Sequence, residues 1–597
     1  MPLLLKFGLY MSNYIDRLKS CYVANDLFKE FRKEILVMEK EFWDTIYFRN
    51  GEIPYVLKNI PKSTGGERIL HIPSKQLKHI QKRFSIILYN CLLDIRQLNP
   101  NYLICNHSFE RKRTIITNAK LHRNKKYVLN IDLSDFFSSI HYGRIYGFFQ
   151  KDRYFKLSEE VAKTIAQISC YRDGNKAFLP QGSPLSPIIA SLIGNLLDVQ
   201  LIKIAKAYKL TYSRYADDLT FSSNNEIPES LIYWDDKDKE DSKWVVGRLL
   251  REKIEQNKFS INDKKTRLFI HRKRQTVTGI VVNKQLNVTS SYRKKNRAML
   301  HHLLTRGDFF IGEKKGDVNQ LIGRLNHVVS VKYLQQDIRM LDSEWIKERD
   351  NLKLLCAKYF DCNSESDQSI KLLRQAIFYK YFIGNNMPIV IPEGKTDSRY
   401  FRLAYKKLNG IRNKYMFQNI NSELIKIGLS GGAVKVKIFL EHIYKNTMIN
   451  LEKSKLNSNY PVIFVLDYDK GLKIEKSDKS DKNIPSFFGI ENGKKWTRIR
   501  KNIYLLLLKP LNGNSFTNED EMICVEDLLK HHKKVIKIDK NNHEQIEIGD
   551  SSLSKMSFLR YVEKNHQEFD FSNFKEIFSA IEEINQDYQY KKESSNL

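Results

Sequence analysis

Apolar and polar positions along this chain change their period repeatedly, and the changes mark its elements. Residues 20 to 50 carry aromatic and aliphatic side chains at mixed i+3 and i+4 spacing, which predicts helix. From 58 to 81, KNIPKSTGGERILHIPSKQLKHIQ reads as a strand, a tight Gly65-Gly66 turn, a second strand and a helix capped by Ser74. KYVLNIDLSDFFSSI (126 to 140) is an apolar strand that ends on carboxylates and leads into a helix start, and FLPQGSPLSPIIASLIGNLLDVQL (178 to 201) is a Gly/Pro loop opening an apolar helix. SRYADDLTFSS (213 to 223) alternates, with Tyr215, Leu219 and Phe221 on one parity and Arg214, Thr220 and Ser222 on the other, the period of a half-buried strand. QTVTGIVVNKQLNVT (275 to 289) reads as another hairpin, followed by a basic helical segment.

A different pattern begins near Met387. PIVIP, VIFVL and YLLLL are continuous apolar runs, separated by segments with helical periodicity. Strands of that kind belong to a parallel sheet covered on both faces. LIKIGLSGGAVKVKIFLEHI is expected to repeat the strand, Gly turn, helix unit. The Lys/Ser/Asp-rich tract from 470 to 500 reads as a loop.

Composition narrows the chemistry. At 597 residues the chain exceeds one core, so two to four domains are expected. A hydrophobic fraction of 42% excludes a disordered chain, and a formal net charge of +31 points to a polyanionic partner, of which nucleic acid is the commonest. The seven cysteines include no CxxC pair, which argues against structural zinc or a disulfide framework and fits a reducing cytoplasm. No stretch is expected to match the roughly 18 apolar residues of a membrane span.

Asp217 and Asp218 are adjacent, and like charges that are buried together repel and lose hydration. Divalent metal resolves the conflict. Side chains alternate across a strand, so one of the pair is expected to be the firmer ligand. Asp132, at the end of the 126–140 strand, supplies a third acid. Two Mg²⁺ ions about 3.5–4 Å apart suit in-line phosphoryl transfer.

The succession Asp132, PQGSPLSP, Tyr215-Ala216-Asp217-Asp218 and Val277-Thr278-Gly279 resembles the ordered blocks of reverse transcriptases. NAKLH (Asn118 to His122) together with the VTG element resembles the retron subset. The resemblance implies a right-hand α+β polymerase of fingers, palm and thumb. It further implies catalysis by Asp132, Asp217 and Asp218, and RNA recognition through Asn118, His122, Val277, Thr278 and Gly279. Its partners would be deoxynucleoside triphosphates, a structured noncoding RNA and the branched RNA–DNA product (msDNA) primed from a 2′-hydroxyl. By position, Arg68 resembles the fingers arginine on the triphosphate, Phe137 the aromatic gate under the sugar, and Gln181 and Gly182 the nucleotide-pocket loop. Phe136 is expected in the core, Lys62 is a second fingers candidate, and Lys264 or Lys265 would sit near the leaving pyrophosphate. Arg293, Lys294, Lys295 and Arg297 would form the duplex-facing thumb surface.

Asp467 and Asp469 are i and i+2 after VIFVL and share a face if the strand continues. Glu393 ends PIVIP, and ligands of parallel sheets sit beyond the carboxyl ends of strands. Glu393-Gly394 with Asp467-x-Asp469 resembles the TOPRIM domain of OLD-type nucleases, implying Mg²⁺ on all three acids and proton transfer by Glu393. Asp397 fits either a further ligand or a helix N-cap, and Glu526 is read as a surface acid. The expected order is fingers and palm 1–285, thumb 286–345, helical linker 346–386, an α/β TOPRIM domain with a parallel sheet 387–535, and a mostly helical extension 536–597. A retron-type polymerase with a fused nuclease effector in anti-phage defence, in a bacterial cytoplasm, is the resulting expectation. Cleavage of DNA or RNA stays open, as does homo-oligomerisation. The rivals are a group II intron-like reverse transcriptase, disfavoured by the VTG element, and a scaffold whose second region grips the hybrid without cleaving.

Overall fold

A computed structural model describes residues 13–47, 54–61, 65–235, 243–333, 367–394, 396–410, 414–444, 458–467, 495–508, 523–538, 545–549 and 551–594. The expected Lys62 and Asp469 lie outside these residues. The chain divides into two compact units, 1–289 and 290–597.

In the first unit, four short helices between Tyr14 and Tyr47 precede an antiparallel ribbon of β1 (Tyr55–Pro61) and β2 (Glu67–Pro73). The Ser74 hydroxyl accepts the Leu77 N–H and starts α1 (Lys75–Leu98), as its position before the apolar period predicts. Then come α2 (Ile115–Leu121), β3 (Tyr127–Ser134), α3 (Ser186–Ala207), β4 (Thr211–Tyr215) and β5 (Asp218–Ser223). β6 (Ser260–Ile261), β7 (Arg267–Ile270), β8 (Thr276–Val277) and β9 (Ile280–Val281) complete the strands used below. The central sheet is antiparallel, with β3 between β5 and the pair β6 and β7, and β4 outside β5.

Two sequence expectations change here. β4 and β5 are buried on both faces, whereas alternation predicted a half-buried strand. The two-residue turn between them inverts the parity, so Tyr215 lies opposite Asp218 and Arg214 opposite Leu219. One face, with Tyr212, Leu219 and Phe221, packs in the main core. The other carries Ser213, Thr220 and Ser222, and these serines are covered by hydrogen-bonded polar groups that hydrophobic patterning does not register. The second change concerns α3. Its 22 residues are long and apolar enough to cross a membrane by length and composition, contrary to the sequence reading. Its apolar residues form the core beneath the sheet, with Ile189, Ile193, Leu197 and Leu201 fully buried.

In the second unit, α4 (Ser290–Arg306), α5 (Val318–Tyr333) and α6 (Gln368–Phe378) lead to β10 (Ile389–Pro392), α7 (Asp397–Asn409) and β11 (Met416–Phe417). α8 (Ala433–Tyr444), β12 (Val462–Leu466), β13 (Trp496–Arg500), β14 (Ile503–Leu507), α9 (Lys555–Lys564) and α10 (Phe574–Ser594) follow. β11, β10, β12 and β14 run parallel in that order, and β13 pairs antiparallel at the edge. Alternate strand residues enter two separate cores. Ile389, Ile391, Phe464 and Leu505 join a cluster with α4, α5, α6 and α8, while Val390, Ile463, Val465 and Leu506 join one with α7, α9 and α10. This is why the strands read as continuously apolar. The predicted strand in LIKIGL is instead a short helix, Ser422–Lys426, because the Asn421 side chain accepts the Glu423 and Leu424 N–H groups as an N-cap. The parallel edge strand falls on Met416–Phe417, too short to carry a period.

Candidate active site

Asp132 and Asp218 are direct cross-strand partners on β3 and β5, so their side chains leave the same face of the sheet. Asp217 occupies the turn of the β4–β5 hairpin beside Ala216, whose φ is +55°. The turn is held on several sides. The Ala216 N–H donates to the Ser108 hydroxyl (2.8 Å), the Ala216 carbonyl accepts from Arg214 (3.2 Å), and the Asp217 carbonyl accepts the Leu133 N–H (3.0 Å). Arg214 is itself fixed by a two-pronged pair with Asp198 of α3, at 2.8 Å on each prong, and both residues are buried. The Tyr212 hydroxyl donates to the same carboxylate (2.7 Å). Gly194, one turn before Asp198, leaves the room: a Cβ there would lie 2.7 Å from the guanidinium. Arg214 therefore holds the turn without neutralising Asp217 and Asp218.

Burial pushes the Asp218 carboxyl up to about 7, helped by the charges of Asp217 and Asp132 and opposed by Lys265. Burial and the Asp132 charge also raise Asp217, against its own backbone N–H, Lys265 and Arg68. The Asp132 carboxylate accepts from the Lys265 ammonium at 3.0 and 3.1 Å and from the Asn262 amide at 3.1 Å. Of the two adjacent lysines left open by sequence, Lys265 is the one that faces the acids. Among the described residues no three His, Cys, Asp or Glu side chains converge as a finished metal cage. The donor set nonetheless suits Mg²⁺, since three crowded carboxylates share one nearby ammonium, Lys265, and this ion completes its shell with water and substrate phosphate.

These acids open on a cleft of about 1200 Å³ lined by Arg68, Phe109, Asp132, Phe137, Gln181, Gly182, Asp217 and Lys265, among others. Arg68 stands exposed on β2. The Gln181 carbonyl accepts the His71 N–H (2.7 Å), docking the Gln181-Gly182 loop on the β1–β2 ribbon. Gly182 has φ +121°, and a Cβ there would lie 2.6 Å from the His71 carbonyl oxygen. Phe137 is half-buried and edge-on to Phe136, and Phe136 is buried against Phe259.

The NAxxH residues need a correction. Asn118 and His122 are both 0% exposed and cannot touch RNA as folded. His122 bridges the two strands of the acidic hairpin, its ring nitrogens 2.7 Å from the Ser213 and Ser222 hydroxyls, and Ser213 donates to Asn118 (2.6 Å). Burial lowers His122 to about 3, so it is neutral and one nitrogen donates while the other accepts. Val277 is likewise fully buried. Thr278 and Gly279 form the β8–β9 turn with φ +45° and +81°, and the Thr278 hydroxyl reaches the Ile115 carbonyl of α2 at 3.4 Å. The two motifs are thus neighbours, and of the five residues read as RNA contacts the accessible ones are Thr278 and Gly279. Arg293, Lys294, Lys295 and Arg297 are exposed on α4.

In the second unit, β10 and β12 end side by side. The Glu393 carboxylate accepts the Ala433 N–H at the start of α8 (2.9 Å) and the Asp467 N–H (3.4 Å). Asp397 is the first residue of α7, not its N-cap, and accepts from Gly394 N–H (2.7 Å) and the Thr396 hydroxyl (3.0 Å). Glu526, read from sequence as a surface acid, is 1% exposed. It sits in a short 3₁₀ turn, Val525–Leu528, that buries both Val525 and Glu526. Burial drives Asp467 well above the carboxylate range, reinforced by Asp397, Glu393 and Glu526. Burial also raises Asp397 and Glu526. Lys555, at the start of α9, lies 3.6 Å from Glu526, and the surrounding acids outweigh burial to hold its ammonium above the usual range. Sequence reasoning missed Lys555, Ser108 and the Arg214–Asp198 pair. An aspartate inside the apolar run LIGNLLDVQLI was the available signal for the last of these.

Residues 60–305 match the family model described as reverse transcriptase (RNA-dependent DNA polymerase). The retron Mx65 reverse transcriptase of Myxococcus xanthus is 32% identical over 261 residues, 41% of this chain and 55% of that protein. The retron Ec86 enzyme of Escherichia coli is 31% identical over 266 residues, 44% of this chain and 72% of its own length, and the Ec73 enzyme 31% over 287, covering 46% and 82%. The chain thus spans about half the length of the first of these relatives. A telomerase structure from Candida albicans overlaps 57% of this chain and 68% of its own at 12% identity and a TM-score of 0.29, too loose to carry weight. With residues 60–305 matching the reverse transcriptase model and the Ec86 and Ec73 enzymes 31% identical over more than two thirds of their own length, the chain belongs to the retron reverse transcriptases.

Proposed function

We propose that the chain adds deoxynucleotides to an RNA-derived primer, copying a structured noncoding RNA into a branched RNA–DNA product, and that its second unit is a TOPRIM-type nuclease serving as the effector in anti-phage defence. The observation that carries the polymerase reading is the direct pairing of Asp132 with Asp218, with Asp217 beside them at the mouth of a cleft that also holds Arg68 and Phe137. Asp132, Asp217 and Asp218 would hold Mg²⁺. When bound, the metal lowers the proton affinity of the attacking hydroxyl and offsets charge on the leaving oxygens. Arg68 donates charge-assisted hydrogen bonds to the triphosphate. Lys265, released from Asp132 as the site loads, would neutralise the departing pyrophosphate. Phe137 lies under the sugar and excludes a 2′-hydroxyl.

In the second unit, Glu393 and Asp467 support a metal-dependent phosphodiester hydrolysis, with Glu393 moving the proton. Asp469, from the same motif, would be a further ligand. The buried acids Asp467, Asp397 and Glu526, with proton affinity raised by burial and Lys555 beside them, support a functional site at these strand ends. Two substitutions test the two halves separately. Asp217→Ala is expected to abolish labelled branched DNA in cells carrying the cognate RNA; if the product persists, the polymerase assignment fails. Glu393→Ala is expected to keep that product and lose defence, and undiminished defence refutes the nuclease role.

A further inference from the structure

The segment from Asn106 to Glu110 is tied down on both sides of one residue. Ser108 accepts the Ala216 N–H (2.8 Å) and donates to the Asn106 side chain (2.8 Å), which in turn bonds the Ser191 hydroxyl (3.1 Å). Glu110, nearly buried, is gripped by Arg96 at 2.8 and 2.9 Å. Between them Phe109 points outward. Its φ is +58°, a conformation that costs a bulky residue energy, and its side chain is 44% exposed, so core packing does not account for it. It lines the cleft beside the acids. There its ring meets Phe137 edge-on, with centroids 6.2 Å apart and planes at 62°. Phe136 holds Phe137 from the core side at 5.5 Å.

We infer that Phe109 is a positioning residue for sugar selection, bracing the Phe137 ring from the cleft side so that the space beside the sugar's 2′ carbon cannot admit a hydroxyl. This rests on Phe137 being the sugar gate. The bracket links two functions mechanically. Ser108, the residue before Phe109, also holds the turn carrying Asp217, so gate and acids share one mount. A ring lacking one of its two edge contacts can tilt, and a tilted gate admits ribonucleotides.

The test is single-nucleotide incorporation by the full chain on an RNA template with Mg²⁺, comparing kcat/KM for a deoxynucleoside and the matching ribonucleoside triphosphate. Phe109→Ala is expected to lower the deoxy-to-ribo ratio about 2- to 10-fold, the scale of one edge-to-face aromatic pair, with deoxynucleotide kcat/KM within about twofold of the parent. Phe109→Tyr keeps the parent ratio. Phe109→Asn, suited to the left-handed backbone, shows the same loss as Ala and separates the ring from the loop conformation. The inference is overturned if Phe109→Ala and Phe109→Asn slow both substrates equally while Phe137→Ala collapses the ratio. If Phe137→Ala leaves the ratio intact, the gate reading itself is wrong and this one goes with it.

Discussion

Single side chains set the geometry of the acidic turn. Arg214 and Asp198 are a buried pair whose value lies in placement, since each would be a stranded charge without the other. Asp198→Asn is expected to cost about 3–5 kcal/mol of unfolding free energy, read by chemical denaturation, because the Arg214 guanidinium stays buried without counter-charge. A loss below about 1 kcal/mol would mean that Arg214 finds another partner. At Gly182 the limit is steric. A methyl group there runs into the His71 carbonyl and sits on a left-handed backbone. Gly182→Ala is expected to move the Gln181 loop and reduce kcat/KM for nucleotide addition at least tenfold, since an ångström of misplacement costs up to about 100-fold. Steady-state kinetics on a primed template would reveal it.

At the scale of elements, α2 and the β8–β9 hairpin brace the sheet away from the acids: His122 meets Ser213 and Ser222, and the Thr276 carbonyl accepts from Asn130. His122 stitches β4 to β5 through two serines, and it does so as a neutral ring. Its folded value is lowered to about 3 from an ordinary 6.5, so its contribution to stability is present above pH 6.5 and is lost as pH falls toward 3. Between those values the unfolded chain binds the proton and the folded one does not. This contribution by itself lowers the thermal midpoint as pH falls from 7 to 4, against the opposite contribution of Asp218 over the same range. His122→Gln, which stays neutral, should flatten part of that slope, and an unchanged slope assigns the acid sensitivity elsewhere. His107, also buried and lowered to about 3, adds to the same slope in both proteins.

The whole molecule is a strongly basic chain with two acid clusters, one in each unit. In the first unit Asp218 is raised from the ordinary 3.8 to about 7. That raised value contributes stability present in full below pH 3.8 and lost as pH rises through 7, because ionisation then leaves a charge buried and crowded by Asp217 and Asp132. Mg²⁺ should reverse the trend. Its addition is expected to raise the thermal midpoint more at pH 8 than at pH 6, where protons compete for Asp218, and Asp218→Asn should shrink the difference. Equal shifts at both pH values would place the cation elsewhere. The net charge of +31 makes a further expectation at this scale. Affinity for nucleic acid should fall steeply between 50 and 200 mM salt, by about 1000-fold or more if six or more phosphates are contacted, as filter binding would report.

The order of motifs along the chain determined the family, the acids and the parallel strands, because strand periodicity and spaced carboxylates are local properties. Asp132, Asp217, Glu393 and Asp467 could all be picked out before any folding was considered. Burial was not legible in the same way. Asn118 and His122 match a motif read as RNA contact, yet lie sealed inside the sheet, and Glu526 reads as a surface acid yet is buried. Tyr215 changes face because a two-residue turn inverts parity, Lys265 separates from Lys264 by the direction of one short helical turn, and Phe109 meets Phe137 only through the path of a loop. Each of these depends on which distant segments come to lie against a residue, and that is decided by the closing of the chain on itself rather than by its neighbours in sequence.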